Sequence, residues 1–184
     1  MDKYEKSVGG FAYPIQIIDY EASALTLNSY PIEVGFCSWH GPGHRPISWS
    51  SLIQPTDDWL INGDWDPDSA RIHGLNRRDL HSGMAPDKVV AILNTSLTPS
   101  APVLCDGGHY DAHWNAALFR AARTDPAFQL GDLWDGLRSD WALANAMADW
   151  LSAQPIVHRA EADTLRLMRG IMAVLGHEDD FPPS

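Results

Sequence analysis

A chain of 184 residues that is 45% hydrophobic and 20% charged is expected to fold as one domain over residues 1–184, and it is too apolar for a disordered segment. Thirteen Lys+Arg against 24 Asp+Glu leave a formal charge of −11. That excludes charge-driven coating of nucleic acid and attraction to anionic membranes, but not a nucleic-acid enzyme whose cleft carries its own cations. Two cysteines, Cys37 and Cys105, cannot build a disulfide framework. The opening MDKYEK leads into no long apolar run, and no stretch approaches the roughly 20 apolar residues of a membrane span. A cytoplasmic protein without signal peptide or membrane contact is expected.

In chain order, residues 14–20 (PIQIIDY) are short, β-branched and proline-led, the pattern of a buried strand. Residues 31–39 and 45–54 predict two further strands, and the Gly41-Pro42-Gly43 turn between them predicts antiparallel pairing. Residues 55–85, rich in Asp, Pro, Gly and Trp, predict a long ordered loop with one short helix. A helix is expected over 86–97, with Asp87 in its first turn and Val89, Val90, Ile92 and Leu93 as apolar positions. Residues 102–106 predict a short strand closed by Gly107 and Gly108, followed by a helix over 110–122 and a strand near 127–134. Helices are expected over 138–152 and 158–175. In the second of these Asp163, Leu167, Ile171 and Val174 share one face. The core is expected over about 14–176, with residues 177–184 a frayed tail. Three strands followed by strand–helix alternation imply an α/β fold on a mixed sheet flanked by helices.

Three places along the chain can carry chemistry. Asp19 and Glu21 are two residues apart at the end of an apolar strand, so both point to one side. They are either two solvated acids or a site for a hard divalent cation, which carboxylates and water hold well. Asp111 follows the glycine pair in Cys105-Asp-Gly-Gly-His-Tyr-Asp111. There Asp106 is open to a turn role, and Asp111 to a place in a helix's first turn. His158 and Asp163 open the last helix. Five residues apart they share no helical face, so a joint site needs His158 in the preceding loop. Histidine is suited to accepting a proton near neutrality, and it also serves to pack or cap helix ends.

Taken together, Asp19-x-Glu21 on a first strand, Asp111 after a later strand and His158-x4-Asp163 at a late helix resemble the DEDDh branch of the DnaQ-like 3′-to-5′ exonucleases. The opening IIDYEASAL followed by YPIEVG is similar to that family's first strand pair, and Arg71-Ile-His-Gly-Leu75 is similar to its Ile-His-Gly block. The resemblance spans residues 14–175. It departs from the family at Asp106, where an asparagine is usual, at Tyr110, where phenylalanine is usual, and in Ala-Ser-Ala after Glu21.

The resemblance implies a ribonuclease-H-like fold with a central mixed five-stranded sheet. It implies a metal-dependent 3′-to-5′ exonuclease that releases 5′-mononucleotides from single-stranded RNA or DNA, using two Mg²⁺ or Mn²⁺ ions. Asp19 would then bridge both ions, Glu21 and Asp163 would hold the nucleophile-side ion, and Asp111 would act largely through water. His158 would take the proton of the attacking water. Ala22, Leu25, His73 and Tyr110 are the implied substrate contacts, with Leu25 against the terminal base. Family relatives are often dimers, so a homodimer is an open expectation. Two alternatives remain: a non-catalytic nucleic-acid-binding relative, and a phosphodiesterase specific for very short oligonucleotides, which the negative charge favours.

Other motifs carry less. Cys105-x3-His109-x3-His113 and Cys37-x2-His40-x3-His44 each fall short of four zinc ligands. Asp64-Trp-Asp-Pro-Asp68 starts like a calcium loop but lacks the later glycine and glutamate. Eight tryptophans are explained mainly by packing, with one of them open to base stacking. Arg71, Arg77 and Arg78 form the densest basic cluster, either a guide for a phosphate backbone or a solvated face.

Overall fold

A computed structural model describes residues 7, 8, 10–138 and 140–181. A small antiparallel hairpin of β1 (Ser7–Val8) and β2 (Phe11–Ala12) precedes the main sheet. That sheet has five strands: β3 (Ile15–Ala22), β4 (Pro31–Trp39), β5 (Ile47–Leu52), β6 (Val103–Cys105) and β7 (Leu130–Asp132), in the order β5-β4-β3-β6-β7. β3, β4 and β5 form an antiparallel meander, while β6 lies parallel to β3 and β7 parallel to β6. The mixed five-stranded α/β architecture is the one expected.

Strand alternation sorts the side chains of β3 and β4 onto two faces. On one face Ile18, Tyr20, Val34 and Phe36 pack against α3 (Pro86–Ser96) and α4 (His109–Ala121), through Val89, Leu93, Leu118 and Phe119. On the other, Ile15, Ile17, Cys37 and Trp39 pack against α5 (Leu133–Leu137), α6 (Trp141–Ser152) and α7 (Ala160–Val174), through Leu137, Met147, Leu167 and Ile171. Asp19 and Glu21 continue the second series, so they face the layer to which α7 belongs.

Three expectations need correction. Residues 55–85 fold as α1 (Asp57–Asn62), α2 (Pro67–His73) and a 3-10 turn at Asp79–Ser82, rather than as a loop with one helix. Each helix is too short for an apolar period to register. They are held by caps instead, Thr56 accepting from the Trp59 N–H and Asp66 from the N–H groups of Asp68 and Ser69. That cap also accounts for the calcium-like acidic run. A small cluster of Tyr30, Ile32, Leu75 and Leu80 anchors the segment.

The strand near 127–134 is limited to Leu130–Asp132, because Asp132 caps α5 by accepting from the N–H groups of Trp134 and Asp135. The tail does not fray as far as Phe181. Glu178–Asp180 form a 3-10 turn, and the Arg169 guanidinium lies 4.3 Å from the Phe181 ring centre. The last three residues, 182–184, lie outside the described residues. No described helix is long and apolar enough to cross a membrane.

Candidate active site

The parallel pairing of β3 with β6 brings their carboxyl ends together, the usual place for a ligand crevice in such sheets. Asp19 and Glu21 end β3, where the pairing register with β4 shifts between Glu21 and Ala22. Asp106 follows β6, and Asp111 stands in the first turn of α4. At position 107 a side chain would displace the Asp111 carboxylate. The Gly107 N–H donates to Asp111 Oδ2 at 2.9 Å, and a Cβ there would lie 2.6 Å from the same oxygen.

The first turn of α7 is fixed to the sheet at three points. Gly35, paired with Asp19 across the strands, lets the helix backbone rest on β4; a Cβ there would lie 2.6 Å from the Ala160 carbonyl carbon. Glu33, paired with Glu21 and 3% exposed, accepts two hydrogen bonds from Arg159, at 2.9 and 2.7 Å, and a third from the Ala160 N–H. Glu161 accepts from the Ser48 and Ser50 hydroxyls of β5 at 2.7 and 3.0 Å. One turn further on, Asp163 reaches back to accept from the Arg159 N–H at 3.2 Å. His158 precedes the helix with a φ of 56°, a left-handed conformation uncommon for a non-glycine residue.

The result is two clusters at one strand end. The ligand atoms of Glu21, His158 and Asp163 lie within 4.8 Å of one another, and so do those of Asp19, Asp106 and Asp111. Every residue of the expected set, Asp19, Glu21, Asp111, His158 and Asp163, is therefore brought to one place. His158 gets there from the loop, which resolves its mismatch with Asp163 on a regular helix. Asp106, open in the sequence to a turn role, joins them as a fifth carboxylate.

Like charges crowded at a buried strand end resist ionisation. Burial first, then Asp111, Glu21, Asp106 and Asp163, holds the Asp19 carboxyl well above the ordinary range. Burial, Asp163 and Glu33 push Glu21 up to about 8, against the pull of Arg159. Burial and Asp106 push Asp111 up to about 7, against the Gly107 N–H. Asp106, exposed at the rim of the site, is raised too, by desolvation first and then by Asp163 and Asp132. None of the five carboxylates forms an ion pair with a Lys or Arg among the described residues. An all-oxygen, uncompensated donor set with one adjacent imidazole fits hard divalent cations.

The implied substrate contacts spread around this centre. Leu25 is 62% exposed beyond β3, and Ala22 is buried at its end. Tyr110 is half-buried, stacked on Trp114 at 5.6 Å and close to the His109 ring. His73, 5% exposed at the end of α2, feels the charges of Glu33, Arg159 and His158. Its Nδ1 accepts from the Leu75 N–H, which leaves the proton on Nε2. Nε2 is buried beside the backbone of Ala22. Of the arginines, Arg71 pairs with Asp68, and Arg77 lies 5.3 Å from the Trp65 ring centre. Trp39, Trp59 and Trp114 are packing residues, stacked or hydrogen-bonded inside the fold.

Gly35, Glu33, Arg159 and Glu161 were not anticipated as site-building residues. The available signal was a glutamate and a glycine inside a strand whose every residue is buried. Gly35→Ala is expected to push the head of α7 off β4. Overpacking of this kind costs about 1–3 kcal/mol, read by urea unfolding, and it should lower kcat through misplacement of Asp163 and His158. Wild-type stability and turnover would contradict this account of the helix seat.

No family model matches the sequence, and no curated protein matches it. Among solved structures, E. coli exonuclease I in a zinc-bound complex with single-stranded DNA superposes with a TM-score of 0.64 at 19% identity, over 88% of this chain and 39% of that one. The chain therefore spans about two-fifths of the length of exonuclease I. A 3′-exonuclease recognising a histone mRNA stem-loop gives 0.61 at 15% identity, over 95% and 68% of the two chains. The RNase domain of yeast Pop2 gives 0.55 at 14% identity, over 86% and 75%. The chain thus shares with these nucleases the ribonuclease-H-like fold, a mixed five-stranded sheet flanked by helices.

Proposed function

We propose that the chain is a metal-dependent 3′-to-5′ exonuclease that removes 5′-mononucleotides from single-stranded nucleic acid. The observation that supports this best is the gathering of five carboxylates and His158 into two three-ligand clusters at the ends of β3 and β6. They stand on a fold shared with exonucleases whose solved complexes contain single-stranded DNA.

Two divalent cations held by these clusters would supply charge neutralisation at the attacking and leaving oxygens and a lower pKa for bound water. Glu21 and Asp163 hold one side of the site and Asp111 the other, with Asp19 between, since it feels the charge of all four other carboxylates. His158, exposed at its loop, accepts the proton of the attacking water at a ring nitrogen. Asp163 and the Glu33–Arg159 pair keep that loop folded over the carboxylates. His73, buried beside Ala22 at the end of β3, and Leu25, with its apolar surface, border the place of the terminal nucleotide.

The decisive experiment is incubation with 5′-labelled single-stranded RNA and DNA, with Mg²⁺, Mn²⁺ or excess chelator. A ladder shortening from the 3′ end, abolished by chelator, is expected. Retained cleavage in chelator, or binding without cleavage, would overturn the reading. Arg77 and Arg78 lie on the segment that carries His73 to the site. Replacing both with Ala should raise KM and reduce the slope of log affinity against log salt by about 0.7 for each phosphate that is no longer neutralised. A KM unchanged across salt concentrations would reduce them to surface charge.

A further inference from the structure

We infer that Asp106 is a direct ligand of a divalent cation, which it shares with Asp19 and Asp111; this rests on the metal-dependent reading above. The ligand oxygens of the three residues lie within 4.8 Å of one another. Asp111 is 1% exposed and has no cationic side chain paired with it, so its charge is buried without a counterion from the protein. The Asp106 side chain caps neither neighbouring helix. α4 starts at Gly108 without any side-chain cap, and α5 is capped by Asp132 instead. Its charged neighbours come from every element packed around it: Asp19 from β3, Asp111 from α4, Asp163 and Arg166 from α7, and Asp132 from β7. Arg166 pulls its carboxyl down, while one guanidinium nitrogen donates to the Leu151 carbonyl at 2.8 Å; it forms no ion pair with Asp106.

The chemical consequence is a third carboxylate where Asp19 and Asp111 would otherwise share a cation. Five carboxylates against two divalent ions leave the loaded site net negative, whereas four would balance it. Asp106 should therefore tighten cation binding at the Asp111 side of the site.

The test is Mn²⁺ binding by calorimetry and by loss of the free-ion electron spin resonance signal, on wild type, Asp106→Asn, Asp106→Cys and Asp19→Asn. Asp106→Asn should bind the weaker ion more than about 100-fold less tightly, beyond the roughly 10–100-fold that loss of an outer-shell partner costs. Its Tm without metal should equal or exceed that of wild type, because a crowded like charge has gone. A turn role predicts the reverse, a lower Tm with unchanged binding. In Asp106→Cys, the ratio of Cd²⁺ to Mn²⁺ affinity should rise at least about tenfold, because a thiolate ligand favours the softer ion. A ratio equal to that of wild type would show that Asp106 acts by charge alone and overturn ligation. Should Asp106→Asn match wild type while Asp19→Asn loses binding, this inference fails and the metal site stands. Should wild type bind no Mn²⁺ at all, the metal-dependent reading itself fails.

Discussion

Asp19→Asn is expected to lower turnover of a single-stranded 3′ end by at least about 10³-fold, or about 4 kcal/mol of barrier. Asp19 feels all four other carboxylates of the site, so its loss weakens both sides. Losing an outer-shell partner of a metal ligand typically costs about 10–100-fold, and a shared ligand should cost more. The fold should survive, because the side chain stands at a strand end among like charges and an amide relieves their repulsion. Circular dichroism and Tm without metal are expected to be unchanged or improved. Full turnover in this variant would remove the two-cluster mechanism.

The same crowding sets a pH dependence in the metal-free protein. Folding raises Glu21 to about 8 and Asp111 to about 7, so the folded state holds protons that the unfolded chain gives up. Carboxylates raised in this way contribute stability that is fully present in acid, below their unfolded values. That contribution is lost as pH rises through about 7 to 8. Metal-free Tm should therefore fall from about pH 5 to about pH 9. Added Mg²⁺ or Mn²⁺ should restore more of it at the alkaline end, where cation uptake no longer has to displace protons. A metal-free Tm that climbed over the same range would contradict the burial of these groups.

His158→Ala should lower kcat by about 10²–10⁴-fold, the usual contribution of a positioned base, while cation binding persists. The residue sits in a loop held from two directions, by Asp163 on the Arg159 N–H and by Glu33 on the Arg159 guanidinium. Its φ of 56° is a conformation the chain maintains only because those contacts impose it. Residual activity should remain, since bound cations acidify water without help. At saturating metal, the wild-type rate should decline toward acid as the imidazole protonates, and the variant should lose that limb. Wild-type turnover with the same acid limb would transfer the role of base to another group.

Much of the fold was legible because the pattern that drives it is local. β3 and β4 carry runs of β-branched and aromatic residues that can be buried only on a sheet, and both strands lie within two residues of their expected bounds. The helices at Pro86–Ser96 and Ala160–Val174 likewise announce themselves by proline or acidic first turns and by repeated apolar positions. Asp19, Glu21, Asp111, His158 and Asp163 were readable because side chains two apart on a strand, or opening a helix after a strand, have few directions in which to point.

What remained hidden depends on residues far apart in the chain. Asp106 looks like a turn residue until parallel pairing of β6 with β3 sets it beside Asp19. Glu33 and Arg159 are 126 residues apart, and only the seating of α7 on Gly35 makes them a bidentate pair. His158 could not be assigned to Asp163 from spacing, since on a continuous helix they diverge. A left-handed loop residue, stabilised by the sheet beneath it, closes that gap. Propensity and alternation act over a few residues, so the main strands, the longer helices and the acids able to meet a cation are legible locally. How many carboxylates gather, and what holds His158 over them, follow from strand pairing and helix packing across the whole chain.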